Sequence, residues 1–88
     1  MAADNDRGNP HFGDMLRLLR RRCGYKQAAF AEAIGVNPSA VSLYENGRRC
    51  PGAGTLGRIA RTLGLTAEEF AELSWHAVTP REKARRDG

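Results

Sequence analysis

The reactive side chains of this sequence are mostly guanidinium groups. Between Arg17 and Arg49 the basic residues are Arg17, Arg20, Arg21, Arg22, Lys26, Arg48 and Arg49, opposed only by Glu32 and Glu45. Cations at that density attract a polyanion and hold its oxygens through charge-assisted hydrogen bonds. The formal net charge of +4 agrees with an anionic partner. By contrast, the stretch from Thr66 to Ala77 carries Glu68, Glu69 and Glu72 and no Lys or Arg. A nucleic-acid face on one side accounts for this segregation better than a uniformly solvated surface does. Covalent and metal chemistry have little to build on. Cys23, Cys50, His11 and His76 lack the close spacing of metal ligands, so no metal site is expected. Neither a Ser-His-Asp set nor paired carboxylates can be argued, so neither an enzyme nor a cofactor is expected. Cys23 and Cys50 stand either as a redox pair or as two isolated thiols, the commoner arrangement.

The cations must be positioned by a small scaffold. A chain of 88 residues holds one compact core, and a separate ligand-binding domain is not expected. Residues 1–10 read as a flexible arm, 11–78 as the folded domain and 79–88 as a basic polar tail. The spacing predicts a first helix over about Phe12 to Arg22, with Phe12, Leu16, Leu19 and Cys23 on one stripe. Gly24 ends it, and Tyr25 is expected to fold back onto the core. A later helix, from about Gly54 to Leu63, buries Leu56, Ile59, Ala60 and Leu63. The last helix begins at a capping box, Thr66 with Glu69, flanked by a hydrophobic staple of Leu65 and Phe70, and extends to about His76. No apolar run reaches the roughly 18 residues that a membrane span needs. The polar N-terminus lacks a signal-peptide core, so a cytoplasmic protein with reduced cysteines is expected.

The most informative stretch runs from Gln27 to Gly47. Phe30, Ala31 and Ile34 form the inner stripe of one short helix, and Val41 and Tyr44 that of the next. Gly35 falls at the turn, where the chain needs positive φ. Asn37 and Pro38 supply an N-cap and a first helical residue. Ala31 is small where the second helix crosses, and Asn46-Gly47 ends that helix. Two helices so punctuated form a helix-turn-helix, the motif that lays its second helix in the DNA major groove. Any αα-hairpin of a small bundle is the plainer reading of the same pattern.

The order and punctuation of these helices resemble the phage repressor and Cro family of helix-turn-helix domains, the XRE type. The resemblance spans roughly Phe12 to Leu73. It rests on Leu16-Arg17-Leu18-Leu19-Arg20, Gln27, Ala31, Gly35-Val36, Tyr44-Glu45-Asn46-Gly47, Pro51 and Ile59 through Leu65. It implies an all-α, compact five-helix bundle of the lambda-repressor-like class, binding double-stranded DNA as a transcriptional regulator. It further implies a repressor acting as a homodimer on a palindromic operator. Its DNA-binding positions fall on Lys26, Gln27, Asn37, Pro38, Ser39, Ser42, Leu43, Asn46, Arg48 and Arg49. Of these, Gln27 takes a phosphate or an outer base edge, and Asn46, Arg48 and Arg49 grip phosphates. Asn37, Pro38, Ser39, Ser42 and Leu43 occupy the half of the recognition helix that faces bases.

This sequence departs from the family at Pro38, Ser39 and Leu43, where long polar readers such as Gln or Arg are missing. Serine bonds any base, and Pro or Leu touch only apolar groups such as a thymine methyl. Ser39 and Ser42 stand equally as ordinary helix-surface residues, and Arg48 and Arg49 as solvated loop charges. The family also pairs an arginine of the first helix with the glutamate ending the recognition helix, which implies a structural ion pair between Arg20 and Glu45. Arg20 as one more phosphate-facing cation is the alternative. Met15 and Leu18 are expected to project from the first helix. Leu18, Leu73, Trp75 and Val78 are the candidate dimer surface, with Trp75 equally placed to close the core. Those apolar residues also admit a second class of function, an antitoxin-like or adaptor module whose main partner is another protein.

Overall fold

A computed structural model describes residues 10–78, and the expected terminal arm and tail otherwise lie outside them. Five helices follow in order: α1 Pro10–Arg22, α2 Gln27–Ile34, α3 Pro38–Glu45, α4 Ala53–Leu63 and α5 Ala67–Val78. There is no strand among the described residues, and none of these helices is long and apolar enough to cross a membrane. The fold is therefore the all-α bundle that the periodicity requires. Pro10, assigned to the arm by sequence, opens α1, where its missing N–H costs nothing.

Local chemistry explains each boundary. Arg20, Arg21 and Arg22 crowd the last turn of α1, where cations complement the partial negative charge of the helix end. Gly35 closes α2 in the left-handed region at φ 76°, returning N–H groups to the carbonyls of Ala31 and Glu32. Asn37 sits extended before α3 with Pro38 as its first residue, but the Asn37 side chain makes no capping bond. Proline geometry, more than side-chain capping, therefore sets that start. At α5 both bonds of the capping box form: Glu69 N–H donates to Thr66 Oγ1, and Thr66 N–H to Glu69 Oε1, each at 3.0 Å.

The core takes Phe12, Leu16 and Leu19 from α1, Phe30, Ala31 and Ile34 from α2, and Val41 and Tyr44 from α3. Leu56, Ile59 and Leu63 of α4 and Leu73 of α5 complete it. Several expectations need correction. Cys23, expected on the buried stripe, lies exposed in the turn just past the end of α1; its thiol donates to the Leu63 carbonyl at 3.4 Å. Tyr25 does fold back against the core, partly buried, its ring centroid 5.9 Å from that of Phe30. Met15, expected outside, packs against the core, and Ala60 is only partly buried. Trp75 does not close the core, being 60% exposed; Leu73 does.

Two contacts tie α1 to its neighbours. Gly13 lies so close to the end of α3 that a Cβ there would strike the Glu45 carbonyl and come within 2.8 Å of the Tyr44 carbonyl oxygen. Arg22 reaches α5, donating Nη1 to Glu69 Oε2 at 2.7 Å and Nη2 to Oε1 at 3.2 Å. This fork, with the Thr66 backbone N–H, holds the Glu69 carboxyl at about 2, below its ordinary value of 4.5.

Gly13→Ala is expected to destabilise the domain by about 1–3 kcal/mol through overpacking against rigid backbone. Gly57→Ala, where a Cβ meets open space, is expected to stabilise it by up to about 1 kcal/mol. Denaturant unfolding of both variants checks this, and opposite signs are the required result. The folded Glu69 pKa lies below the unfolded one, so its stabilising contribution is complete above about pH 4.5 and is lost as pH falls through 2. In an NMR titration Glu69 should give a midpoint near 2, and Arg22→Ala should move it up toward 4.5.

Candidate nucleic-acid interface

Glu45, the last residue of α3, is the organising group of the site. It is 2% exposed and Arg20 is 7% exposed, and a charge so far from water must be paired. Arg20 donates Nε to Glu45 Oε2 at 2.6 Å and Nη2 to Oε1 at 3.2 Å, the two-pronged geometry that suits a guanidinium. Its remaining Nη1 donates to the Tyr25 carbonyl at 2.6 Å, fixing the chain after α1. Arg17, one turn earlier, donates Nη2 to the Glu45 backbone carbonyl at 3.2 Å. Its Nε lies 3.6 Å from Glu45 Oε1. From α2, the Gln27 amide Nε2 donates to Glu45 Oε1 at 3.1 Å. Gly13, Arg17 and Arg20 follow at helical spacing, so one face of α1 receives the end of α3.

The turn between α2 and α3 has its own brace. Arg58 of α4 donates Nε to the Ile34 carbonyl at 2.9 Å and Nη2 to Thr55 Oγ1 at 3.1 Å. It satisfies a carbonyl left over at the end of α2. The sequence offers little signal for this contact, since Arg58 reads there as another surface cation.

The expected cationic face is thus divided. Arg17 and Arg20 serve Glu45, and Arg22 serves Glu69. Of the basic residues between Arg17 and Arg49, Arg21, Lys26, Arg48 and Arg49 remain exposed and outside the ion pairs of the described residues. Arg48 and Arg49 directly follow the turn at Asn46 and Gly47, where Gly47 holds φ 74°. Asn37, Pro38 and Ser39 are exposed at the start of α3. Ser42 and Leu43, expected exposed, are half-buried. Spacing puts Ser39, Ser42, Leu43 and Asn46 opposite buried Val41 and Tyr44. Asn46 Nδ2 donates to Ser42 Oγ at 3.5 Å, closing part of that face.

The remaining candidates separate cleanly. Leu18, Trp75 and Val78 are 70%, 60% and 66% exposed. Leu73 is fully buried in the core, so it is withdrawn from the candidate dimer surface: α5 must turn one stripe inward, and Leu73 lies on it. Cys23 and Cys50 are both free, and burial pushes the Cys50 thiol up. No cluster of three or more potential metal ligands occurs among the described residues.

Comparison with known proteins gives a consistent result. A family model described as a helix-turn-helix domain matches residues 11–73. The HTH-type transcriptional regulator YazB of Bacillus subtilis is 35% identical over 60 residues, spanning 68% of this chain and 87% of that protein. Among solved structures, the restriction-modification controller protein C.AhdI of Aeromonas hydrophila superposes with a TM-score of 0.62 at 29% identity. That match covers 77% of this chain and 97% of the controller. The clp gene regulator ClgR of Corynebacterium glutamicum gives a TM-score of 0.65 at 26% identity, over 78% of this chain and 90% of ClgR.

Removing either member of the buried pair leaves an uncompensated charge. Arg20→Ala and Glu45→Ala are each expected to cost about 3–5 kcal/mol of unfolding free energy. A double-mutant cycle should show the double variant far more stable than the sum of single losses implies. Strict additivity would mean the two side chains are energetically independent.

Proposed function

The chain belongs to the helix-turn-helix family of DNA-binding transcriptional regulators, and from that premise we propose that it is a repressor working as a homodimer on a two-fold symmetric operator. In this reading α3 is the recognition helix, entering the major groove from its N-terminal end. Asn37, Pro38, Ser39, Ser42 and Leu43 meet base edges. Lys26, Asn46, Arg48 and Arg49 grip the phosphates on either side, and Gln27 stands at the start of α2. The observation that carries the reading is the division of the cations: Arg17, Arg20 and Arg22 of α1 are bonded within the fold, while Arg48 and Arg49 beside α3 stay exposed. Such a regulator works in the cytoplasm, where the bacterial chromosome lies.

The readers on α3 are short. Serine hydroxyls discriminate bases weakly, and Pro38 and Leu43 offer only apolar contact, which suits a thymine methyl. Part of the selectivity then comes from DNA shape. One module of this size covers few base pairs, so genomic selectivity requires two half-sites about one helical turn apart. The exposed Trp75 and Val78 of α5 supply the surface for self-association, with Leu18 of α1 in reserve. The descriptions of C.AhdI as a restriction-modification controller and of ClgR as a clp gene regulator accord with this assignment. The same apolar residues favour a second reading, an adaptor whose main partner is another protein.

The test is binding to duplexes selected from a random pool, followed by salt titration and sedimentation. Log K should fall with log salt by about 0.9 per phosphate contacted, and Arg48→Ala or Arg49→Ala should each reduce that slope by about one contact. Those losses should be equal for specific and scrambled duplexes, whereas Ser39→Ala should shift preference by about 1–3 kcal/mol at one base pair. Two protomers should sediment on one preferred site, and Trp75→Ala should weaken that stoichiometry. Salt-independent binding would sink the DNA reading. A lone monomer on the preferred site would sink the symmetric operator.

A further inference from the structure

The carbonyl of Ile34 closes α2 without a partner inside that helix. The N–H groups of Gly35 and Val36 return to the carbonyls of Ala31 and Glu32, which leaves Ile34 to another donor. Arg58 of α4 supplies it, donating Nε at 2.9 Å. A guanidinium also suits the partial negative charge at a helix C-terminus. The arginine is itself held, because its Nη2 donates to Thr55 Oγ1 at 3.1 Å, one turn back on α4. Its planar fork makes both bonds at once, which the compact ammonium of a lysine does not match. The backbone of the turn runs close by: a Cβ on Gly35 would stand 3.8 Å from Arg58 Nε.

This bond sits at the entrance to α3. The far end of α3 is locked through Glu45, but its start receives no side-chain cap from Asn37. Among the described residues, Arg58 makes the one side-chain hydrogen bond to residues 34–38. A helix pinned at its far end alone tilts about that end. The tilt moves its start most, where Asn37, Pro38 and Ser39 are exposed. Groups that meet a ligand need rigid support, since freedom at the contact costs affinity. We propose that Arg58 is a positioning residue for DNA recognition, tying the α2–α3 turn to α4 so that the start of α3 is held at one angle. The inference rests on α3 being the recognition helix, as proposed above, and deepens that reading: α4, which meets no base in it, contributes to selectivity. A phosphate contact by Arg58 is the competing role, and it gives a different salt response.

The experiment takes the full chain on its preferred duplex and on a scrambled one, across a salt series. Arg58→Met keeps much of the side chain's bulk and removes its donors. It should bind the preferred duplex about three- to tenfold more weakly and the scrambled duplex nearly as wild type does. The slope of log K against log salt should stay that of wild type, because no phosphate partner is lost. Thr55→Val removes only the rear bond and changes no charge, and should shift the same ratio in the same direction by less. Circular dichroism at the assay temperature establishes that the variants are folded. Should Arg58→Met not fold, Thr55→Val carries the comparison, and the Arg58 Nε–H of wild type gives an independent readout by exchanging slowly with water. An unchanged preferred-to-scrambled ratio in either folded variant would overturn the positioning role, as would a rapidly exchanging Nε–H. Equal losses for Arg58→Met on both duplexes, with the slope lowered by about one contact, would make Arg58 a phosphate ligand and overturn the inference, leaving the regulator reading intact. Failure of wild type to bind any duplex would overturn both.

Discussion

One buried carboxylate governs this fold. A glutamate enclosed at the end of a short helix would ruin a domain of this size unless its charge were met. Glu45 is met from three directions: Arg20 and Arg17 of α1, and Gln27 of α2, with its own backbone carbonyl also bonded by Arg17. The recognition helix is therefore not merely packed by Val41 and Tyr44. It is fixed in rotation and depth by directional bonds at its C-terminal end. Gly13 belongs to the same constraint, because only a residue without a Cβ lets α1 approach the Glu45 carbonyl that Arg17 addresses.

This anchoring has an electrostatic consequence. Arginines bonded within the fold no longer offer their full charge to a polyanion, so the cationic density of the sequence overstates the DNA-facing charge. Arg22 is a second example, bonded to Glu69 at the start of α5. That bond brings part of the acidic segment against the basic one, so the separation of charge is less complete than the linear sequence suggests. Exposed cations nonetheless remain beside the motif, at Lys26 before it and at Arg48 and Arg49 after it. In the proposed complex, phosphate contacts at those places fix register and orientation, leaving the short side chains of α3 to meet the bases.

The outer surface of α5 completes the picture. Leu73 and Trp75 are two residues apart, a step that carries a helical position well round the axis, and one is fully buried while the other is 60% exposed. The large aromatic was thus left outside when the core closed on a leucine. Together with Val78 it makes an apolar feature that a lone domain gains nothing from exposing, although single exposed residues are common. In the proposed dimer, a two-fold partner covers this feature and doubles the length of DNA read.

Much of the architecture is written in local chemistry. The positive-φ glycine Gly35, the Asn37-Pro38 start and the Thr66–Glu69 box mark helix ends through interactions spanning a few residues, so the helices are legible from sequence alone. The apolar stripes of α1 to α4 are legible for the same reason, since periodicity alone says which face is buried. What the sequence could not decide are the partnerships between distant residues. Spacing left Arg20 open to either role; the packing of α1 on α3 joins it to Glu45, 25 positions away, and brings Arg22 to Glu69 across 47. Gly13 looks like a weak point in a helix until the neighbouring backbone is in place. Met15, Cys23, Leu73 and Trp75 are not legible from the pattern, because they lie at the edges of stripes or near helix ends. There a single residue of helix length, or a small rotation, decides between core and water, and only the tertiary packing fixes that rotation.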